Sequence, residues 1–171
     1  DPPGAEVDYR EELIRLPGGF LAYHPPREAP LPTDPPWQRR GYFTFGSFNQ
    51  LSKISEDTLT LWSAILHGVP ESKLLLKARP LADASVQAHW RSRFAARGID
   101  PARLILRGRI AEKGGHLALY GEVDLGLDPT PYNGTTTTFE ALWMGVPVLA
   151  LRGDRHGARV SASLLQHGGL S

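Results

Sequence analysis

The sequence predicts an α/β domain of the doubly wound kind, an open parallel sheet covered by helices on both faces. Three observations predict it. From Tyr42 onward, short apolar runs alternate with amphipathic helical stretches. The runs have strand length and are rich in Val, Leu, Ile and Phe. The connections are short, so right-handed crossovers between parallel strands are the default. The 171 residues, 41% of them hydrophobic, suffice for one domain of ordinary size with its own core.

Residues 1–39 precede this pattern and read as an N-terminal arm. It has a short helical pattern around Tyr9–Leu16, then Gly18-Gly19 and an apolar Phe20-Leu21-Ala22-Tyr23. Residues 25–36 are half proline, which denies them a regular hydrogen-bond ladder and favours a stiff, extended path. This is a linker or a strap lying on the surface. The domain proper is expected over 40–171.

Its strands are predicted at Tyr42–Phe48, Lys73–Leu76, Leu104–Leu106, Val123–Leu127 and Val146–Leu151. Ser55 is a good cap for the first helix, with Glu56 and Asp57 favouring its dipole. Leu59, Trp62, Ile65 and Leu66 form its apolar stripe, and Gly68 and Pro70 end it. Asp83 caps a second helix that carries Val86, Trp90 and Phe94 and stops at Gly98. A shorter helix covers about 115–120. A fourth runs over about 136–144, burying Phe139, Leu142 and Trp143 before Gly145 and Pro147. A fifth covers about 158–167. Sheets of this kind bind ligands beyond the carboxyl ends of their strands. The loops at 46–55, 77–83, 107–114, 128–136 and 152–157 are therefore where chemistry is expected.

Composition excludes several functions. Nineteen Lys and Arg face 18 Asp and Glu, a net charge of +1 that gives no global field to draw in nucleic acid or an anionic membrane. No run approaches the roughly 20 apolar residues that span a bilayer. No cysteine is present, which removes disulfides, thiolate metal sites and a thiol nucleophile, and fits a reducing, cytoplasmic compartment. The six histidines lack metal-ligand spacing. There is no G-x-G-x-x-G, P-loop, H-E-x-x-H, G-x-S-x-G or D-x-D. The chain starts without Met and stops after a helical pattern, as a piece of a longer protein would.

Three segments carry candidate chemistry. In Asp128-Pro-Thr-Pro-Tyr-Asn133-Gly134-Thr135-Thr136-Thr137-Thr138, a strand passes through a Pro-containing loop into a hydroxyl-rich helix start. Free amides there suit a phosphate, and Gly134 lets backbone approach a ligand closely. Glu140, one turn in, can accept hydrogen bonds from a ribose cis-diol. The plainer alternative is a Thr135 or Thr136 cap with Glu140 complementing the dipole. In Gly46-Ser47-Phe48-Asn49-Gln50-Leu51-Ser52-Lys53, the glycine and serine permit close approach of a ligand. Gln50 and Lys53 project over the sheet, and a Lys ammonium can neutralise a diphosphate. In Arg109-Ile110-Ala111-Glu112-Lys113-Gly114-Gly115-His116, the histidine can stack on or hydrogen-bond a nucleotide. Lys77, Arg79 and Arg107 add positive charge at strand ends.

The motifs Phe48-Asn49-Gln50-Leu51-x-Lys53-Ile54, Val69-Pro70-x-Ser72-x-Leu74 and Asp128-x-x-Pro-Tyr-Asn133-Gly134-x-Thr136-Thr137 stand in this order. They are followed by Leu142-Trp143-x-Gly145-Val-Pro147 and Arg159-Val160-x-Ala162-Ser163-Leu164-Leu165. Over most of 40–170 the chain resembles the O-linked N-acetylglucosamine transferases. The resemblance implies the Rossmann-like C-terminal lobe of a two-lobed GT-B enzyme that carries tetratricopeptide repeats. Residues 1–39 would enter from the preceding lobe, and the final helices would lie beyond Ser171. The implied reaction moves N-acetylglucosamine from UDP-GlcNAc to Ser or Thr of an acceptor protein, with inversion and with neither metal nor cofactor. Gln50 and Lys53 would meet the diphosphate, with Lys53 stabilising the leaving group. Ala111, Lys113 and His116 would surround uracil and ribose. Gly134, Thr135, Thr136 and Thr137 would form the anion site, and Glu140 would take the ribose hydroxyls. The general base would lie in the other lobe, so this chain alone would be inactive. Two departures are visible: animal members have His where Thr135 stands and Asp where Glu140 stands. A related GT-B enzyme (a protein glucosyltransferase or UDP-sugar epimerase) and a non-catalytic interaction scaffold are the alternatives.

Overall fold

The computed structural model describes all residues except Ala111, Lys113 and Ser171. Its strands are β1 Thr44–Ser47, β2 Lys73–Lys77, β3 Leu104–Arg107, β4 Leu125–Leu127 and β5 Val148–Leu149. Its helices are α1 Trp37–Arg40, α2 Glu56–Gly68, α3 Ala84–Ala95, α4 Gly115–Ala118, α5 Thr136–Trp143 and α6 Val160–His167. Every strand pairing is parallel, in the order β3-β2-β1-β4-β5. The chain steps outward from β1 to β3, then returns to place β4 on the other side of β1. Phe45 accordingly has Leu74 on one side and Leu125 on the other. The switch point falls between β1 and β4, and the loops leaving those two strands flank the ligand crevice expected of such a sheet.

The doubly wound prediction holds because the central strands have two apolar faces. On β2, Leu74 and Leu76 point to one core and Leu75 to the other, all at 0–1% exposure. The first core takes Leu59, Trp62 and Leu66 from α2 and Trp90 and Phe94 from α3. The second takes Leu117, Tyr120, Val123, Ala141 and Met144. Both predicted caps form: Ser55 Oγ accepts from Thr58 N at 3.1 Å, and Asp83 Oδ1 from Ser85 N at 2.7 Å.

Three expectations are corrected. The last strand shrinks from the predicted 146–151 to Val148–Leu149. It is an edge strand, Pro147 has no N–H to give, and Leu149 and Leu151 remain exposed. The expected helix at Tyr9–Leu16 does not form; the only helical turn of the arm before the strap is Ala5–Asp8. Ile14 and Leu16 are exposed, so no packed face compensates the cost of nucleating so short a helix. On α5 the sheet-facing stripe is Thr138, Ala141 and Met144. Trp143, expected inside, is exposed, while Tyr23 of the arm stacks on Phe139 at 5.2 Å and 7°.

The Pro-rich stretch is a strap on the surface of the sheet domain. Ala29 packs against the second core. Thr33 lies so near Gly121 that a Cβ there would sit 2.9 Å from its hydroxyl. Buried Asp124 ties the strap's end to the sheet, accepting from Trp37 N at 2.9 Å and Thr44 N at 2.8 Å.

Candidate functional site

The two loops at the switch point are bound to each other across some 80 residues of sequence. Lys53 follows β1 on a short 3-10 turn, Leu51–Lys53. Its Nζ donates to Asn133 O at 2.8 Å and lies 4.3 Å from the centroid of the Tyr132 ring. Thr130 N donates to Thr58 Oγ1 at 3.0 Å, and Thr130 O accepts from Ser55 Oγ and Thr58 Oγ1 at 2.8 and 2.6 Å. The cap of α2 therefore also anchors the loop after β4. That loop contains a cis peptide bond at Thr130–Pro131. Thr137 Oγ1 donates to buried Asn49 Oδ1 at 3.1 Å, which joins the start of α5 to the end of β1.

Beneath the loop lies Asp128, 5% exposed. Its Oδ1 accepts from Gly134 N at 2.7 Å, and its Oδ2 has no partner among the described residues. Burial pushes this carboxyl up to about 6, although the Gly134 amide and the Lys53 ammonium both favour the anion. Burial pushes Lys53 down from the ordinary lysine range, and Asp128 opposes that shift. Above Asp128, Thr138 N and Phe139 N both reach Thr135 O. The amides of Thr136 and Thr137 have no partner among the described residues. An ammonium and two free amides at a helix start are donors suited to an anion.

A second cluster sits beside the first, past the ends of β2 and β4. Lys77 ends β2, His116 lies in α4, Tyr120 follows in a 3-10 turn, and Glu140 projects from α5. Lys77 Nζ donates to His116 Nδ1 at 2.8 Å. An ammonium has no acceptor, so Nδ1 carries the lone pair and Nε2 the proton. Nε2 then donates to Glu140 Oε2 at 2.8 Å. The same oxygen receives Tyr120 OH at 3.1 Å, and that hydroxyl also lies 3.1 Å from Thr137 O. Phe48 packs against Tyr120 at 4.2 Å and against His116 at 5.8 Å. Burial, then the Glu140 charge, holds the Tyr120 phenol well above its ordinary range. Burial pushes Lys77 down, Glu140 pulls it up and Arg79 pushes it down.

The expected residues thus fall into two groups. Lys53 is bonded to Asn133 O, beside Gly134 and the start of α5 that carries Thr136 and Thr137, with Thr135 as the α5 cap residue, its hydroxyl making no capping bond. His116 and Glu140 meet directly. Gln50 is exposed at the head of the Leu51–Lys53 turn. Ala111 and Lys113 lie outside the described residues. Two glycine expectations change. A Cβ on Gly46 would sit 2.5 Å from Val123 Cγ2, so this glycine makes room for the core and not for a ligand. A Cβ on Gly134 would come within 2.6–2.8 Å of Thr137 Oγ1, Asp128 Oδ1 and Thr138 Oγ1, so the protein itself fills that space. Sequence reasoning assigned no role to Asn49, Tyr120 or Asp128, and gave Lys77 only a generic charge. A cavity of about 420 Å³ between the arm and α6 shares no residue with either cluster. Among the described residues no three His, Asp or Glu side chains are grouped as a metal ion would require. No described helix is long and apolar enough to cross a membrane.

Comparison with known proteins gives one consistent picture. The model of glycosyl transferase family 41 matches residues 40–171. A tomato (Solanum lycopersicum) protein described as a probable UDP-N-acetylglucosamine–peptide N-acetylglucosaminyltransferase, SPINDLY, is 42% identical over 99% of this chain. The Caenorhabditis elegans UDP-N-acetylglucosamine–peptide N-acetylglucosaminyltransferase is 36% identical over 71% of it. The chain spans only 18% and 10% of those two proteins. Among solved structures, a point mutant of the Thermobaculum terrenum O-GlcNAc transferase superposes over 99% of this chain with a TM-score of 0.90 and 38% identity. The chain covers 32% of that molecule. The C-terminal domain of a Francisella tularensis group 1 glycosyl transferase shares the fold at a TM-score of 0.52 and 18% identity, over 69% of this chain and 65% of that one.

Proposed function

The chain belongs to glycosyl transferase family 41, and we propose that it is the donor-binding lobe of a protein O-GlcNAc transferase, holding UDP-GlcNAc for transfer to Ser or Thr of an acceptor protein. The observation that carries the reading is the surplus of donors at the switch point. Lys53, bonded to Asn133 O, and the unpartnered amides of Thr136 and Thr137 belong to the two loops where the sheet topology places a ligand. Two relatives and one solved structure are named for that same transfer.

In this reading the nucleotide diphosphate lies over the start of α5. As the glycosidic bond to the sugar breaks, negative charge builds on the β-phosphate. Lys53 and the helix amides stabilise that charge from fixed positions, a contribution worth on the order of a few kcal/mol per donor. They take the place of a metal. Attack by the acceptor hydroxyl from the opposite face inverts the anomeric centre. Glu140 receives the ribose diol, and His116 and Lys113 frame the base with Ala111. Gln50 and Thr135 flank the phosphates. The acceptor, the general base, a preceding lobe reached through the arm at 1–39, and a tetratricopeptide-repeat region belong to the longer protein. This chain alone is inactive, and a cytoplasmic location goes with the reading.

Calorimetric titration of the folded chain with UDP, beside ADP, tests it. Saturable binding that prefers UDP is the expected result. Equal binding of both nucleotides removes the uridine assignment, and no binding of either by a folded chain removes the donor site.

A further inference from the structure

The contact between Lys77 and His116 is not used by the reading above, yet it decides where the protons of the second cluster lie. Glu140 alone already draws the His116 Nε2 proton toward itself. It would draw a doubly protonated ring more strongly still, because the two would form an ion pair. Lys77 forbids that state. Its ammonium sits 2.8 Å from Nδ1, where a second ring proton would have to go. Among the described residues, the groups facing the ring are Lys77, Glu140, Tyr120 and Phe48, with Arg79 acting on Lys77. Among the described residues Lys77 is the cation that touches it. The Lys77 backbone is held at the end of β2 by strand pairing to Arg107, which fixes the point from which its side chain reaches the ring.

The consequence appears at Glu140. Oε2 accepts twice, from His116 Nε2 and Tyr120 OH, whereas Oε1 accepts from no described residue. A neutral His116 leaves the carboxylate its full negative charge and one open oxygen. An imidazolium would neutralise it and pin it.

We propose that Lys77 is a positioning residue of the donor site, which by donating to His116 Nδ1 keeps the ring in its Nε2–H form and leaves Glu140 Oε1 free, as an undiminished anion, for a ligand diol. The inference rests on the donor-site reading for its diol, and on the protein alone for its proton placement.

The test uses the 171-residue chain as wild type, Lys77→Met and Lys77→Arg. Imidazole nitrogen NMR at pH 6.5 reports which ring nitrogens of His116 carry protons. UDP and 2′-deoxyuridine diphosphate are titrated in parallel. Wild type is expected to show Nδ1 unprotonated. Lys77→Met is expected to show a proton on Nδ1, to weaken UDP about tenfold and to lose most of its preference for the 2′-hydroxyl. Lys77→Arg, which keeps a charged donor, is expected to restore all three. If Nδ1 stays unprotonated in Lys77→Met, Lys77 does not set the ring and the proposal is wrong, whatever happens to affinity. If Nδ1 gains its proton while the 2′-hydroxyl preference is unchanged, the link to Glu140 is wrong. If wild type binds neither nucleotide, the donor reading fails, and the NMR comparison still decides the proton placement by itself.

Discussion

The two halves of the site solve opposite problems with the same kinds of residue. At the switch point the donors outnumber the acceptors: Lys53 spends its bond on a main-chain carbonyl, and two helix amides spend none. Beside it, Lys77, His116, Glu140 and Tyr120 compensate one another within 3.1 Å at every step. The first half offers unpaired donors, so an anionic ligand adds interactions there. The second half is already satisfied, so a ligand must fit the one acceptor left over. Affinity is therefore expected to come from the first and discrimination from the second.

The largest expected effect would break the first half. Lys53→Ala removes the ammonium that reaches the switch point among the described residues and should weaken UDP about a hundredfold, on the order of 2–3 kcal/mol, while uridine binding changes little. Titration of both ligands checks it, and an equal loss for uridine would mean that Lys53 shapes the whole site instead of reading phosphate.

The next effect, of similar size, concerns the carboxylate under that half. Asp128 is raised from 3.8 to about 6 in the folded chain. The folded state therefore holds its proton more tightly than the unfolded state. Stability from this group is full below about pH 4, declines as pH rises to about 6, and stays low above that. Asp128→Asn has no such slope. The gap between the two stability curves should change by about 2 kcal/mol between pH 4 and pH 8, read by denaturant unfolding. Parallel curves would place Asp128 in a far wetter setting than the fold implies.

A smaller effect sharpens the second half. Glu140→Gln replaces the anion with an amide of the same shape. UDP should lose about tenfold, with the preference for UDP over its 2′-deoxy analogue reduced to near unity. An undiminished preference would take the diol away from Glu140.

These halves were unequally legible in the amino-acid sequence. The sheet could be read because β2 carries Leu74-Leu75-Leu76 with both neighbours of each face apolar, and because Ser55 and Asp83 cap where they stand. The switch-point half could be located because topology alone assigns it to the loops after β1 and β4, and Lys53 and Thr136-Thr137 lie in those loops. The second half depends on contacts that no local pattern encodes. Lys77 and His116 are 39 residues apart, and Tyr120 and Glu140 are 20 apart, on four different elements. The face of α5 was misjudged for a related reason. Phe139 and Leu142 have the right spacing for a core, but the surface they meet is the arm, with Tyr23 stacked on Phe139 and Leu142 opposite Gly18–Leu21.

That arm supplies the smallest effect, and the one that best separates packing from chemistry. Tyr23 reaches into the second half: its hydroxyl is buried, has no partner among the described residues, and feels the Glu140 charge, which with burial pushes the phenol up. Were it a fifth member of the cluster, removing the hydroxyl would cost binding. The geometry argues otherwise, because Glu140 Oε2 already accepts from His116 and Tyr120, and a buried unpaired hydroxyl is a cost to folding that its removal relieves. Tyr23→Phe keeps the stack on Phe139 and should leave UDP affinity unchanged, with stability equal or higher by up to about 1 kcal/mol. Tyr120→Phe, the control, deletes a hydroxyl that lies within reach of two acceptors and should weaken UDP several-fold. Thermal unfolding and titration of the two variants side by side decide the matter. A loss of affinity in Tyr23→Phe matching that in Tyr120→Phe would make the arm part of the binding chemistry instead of a cover for α5.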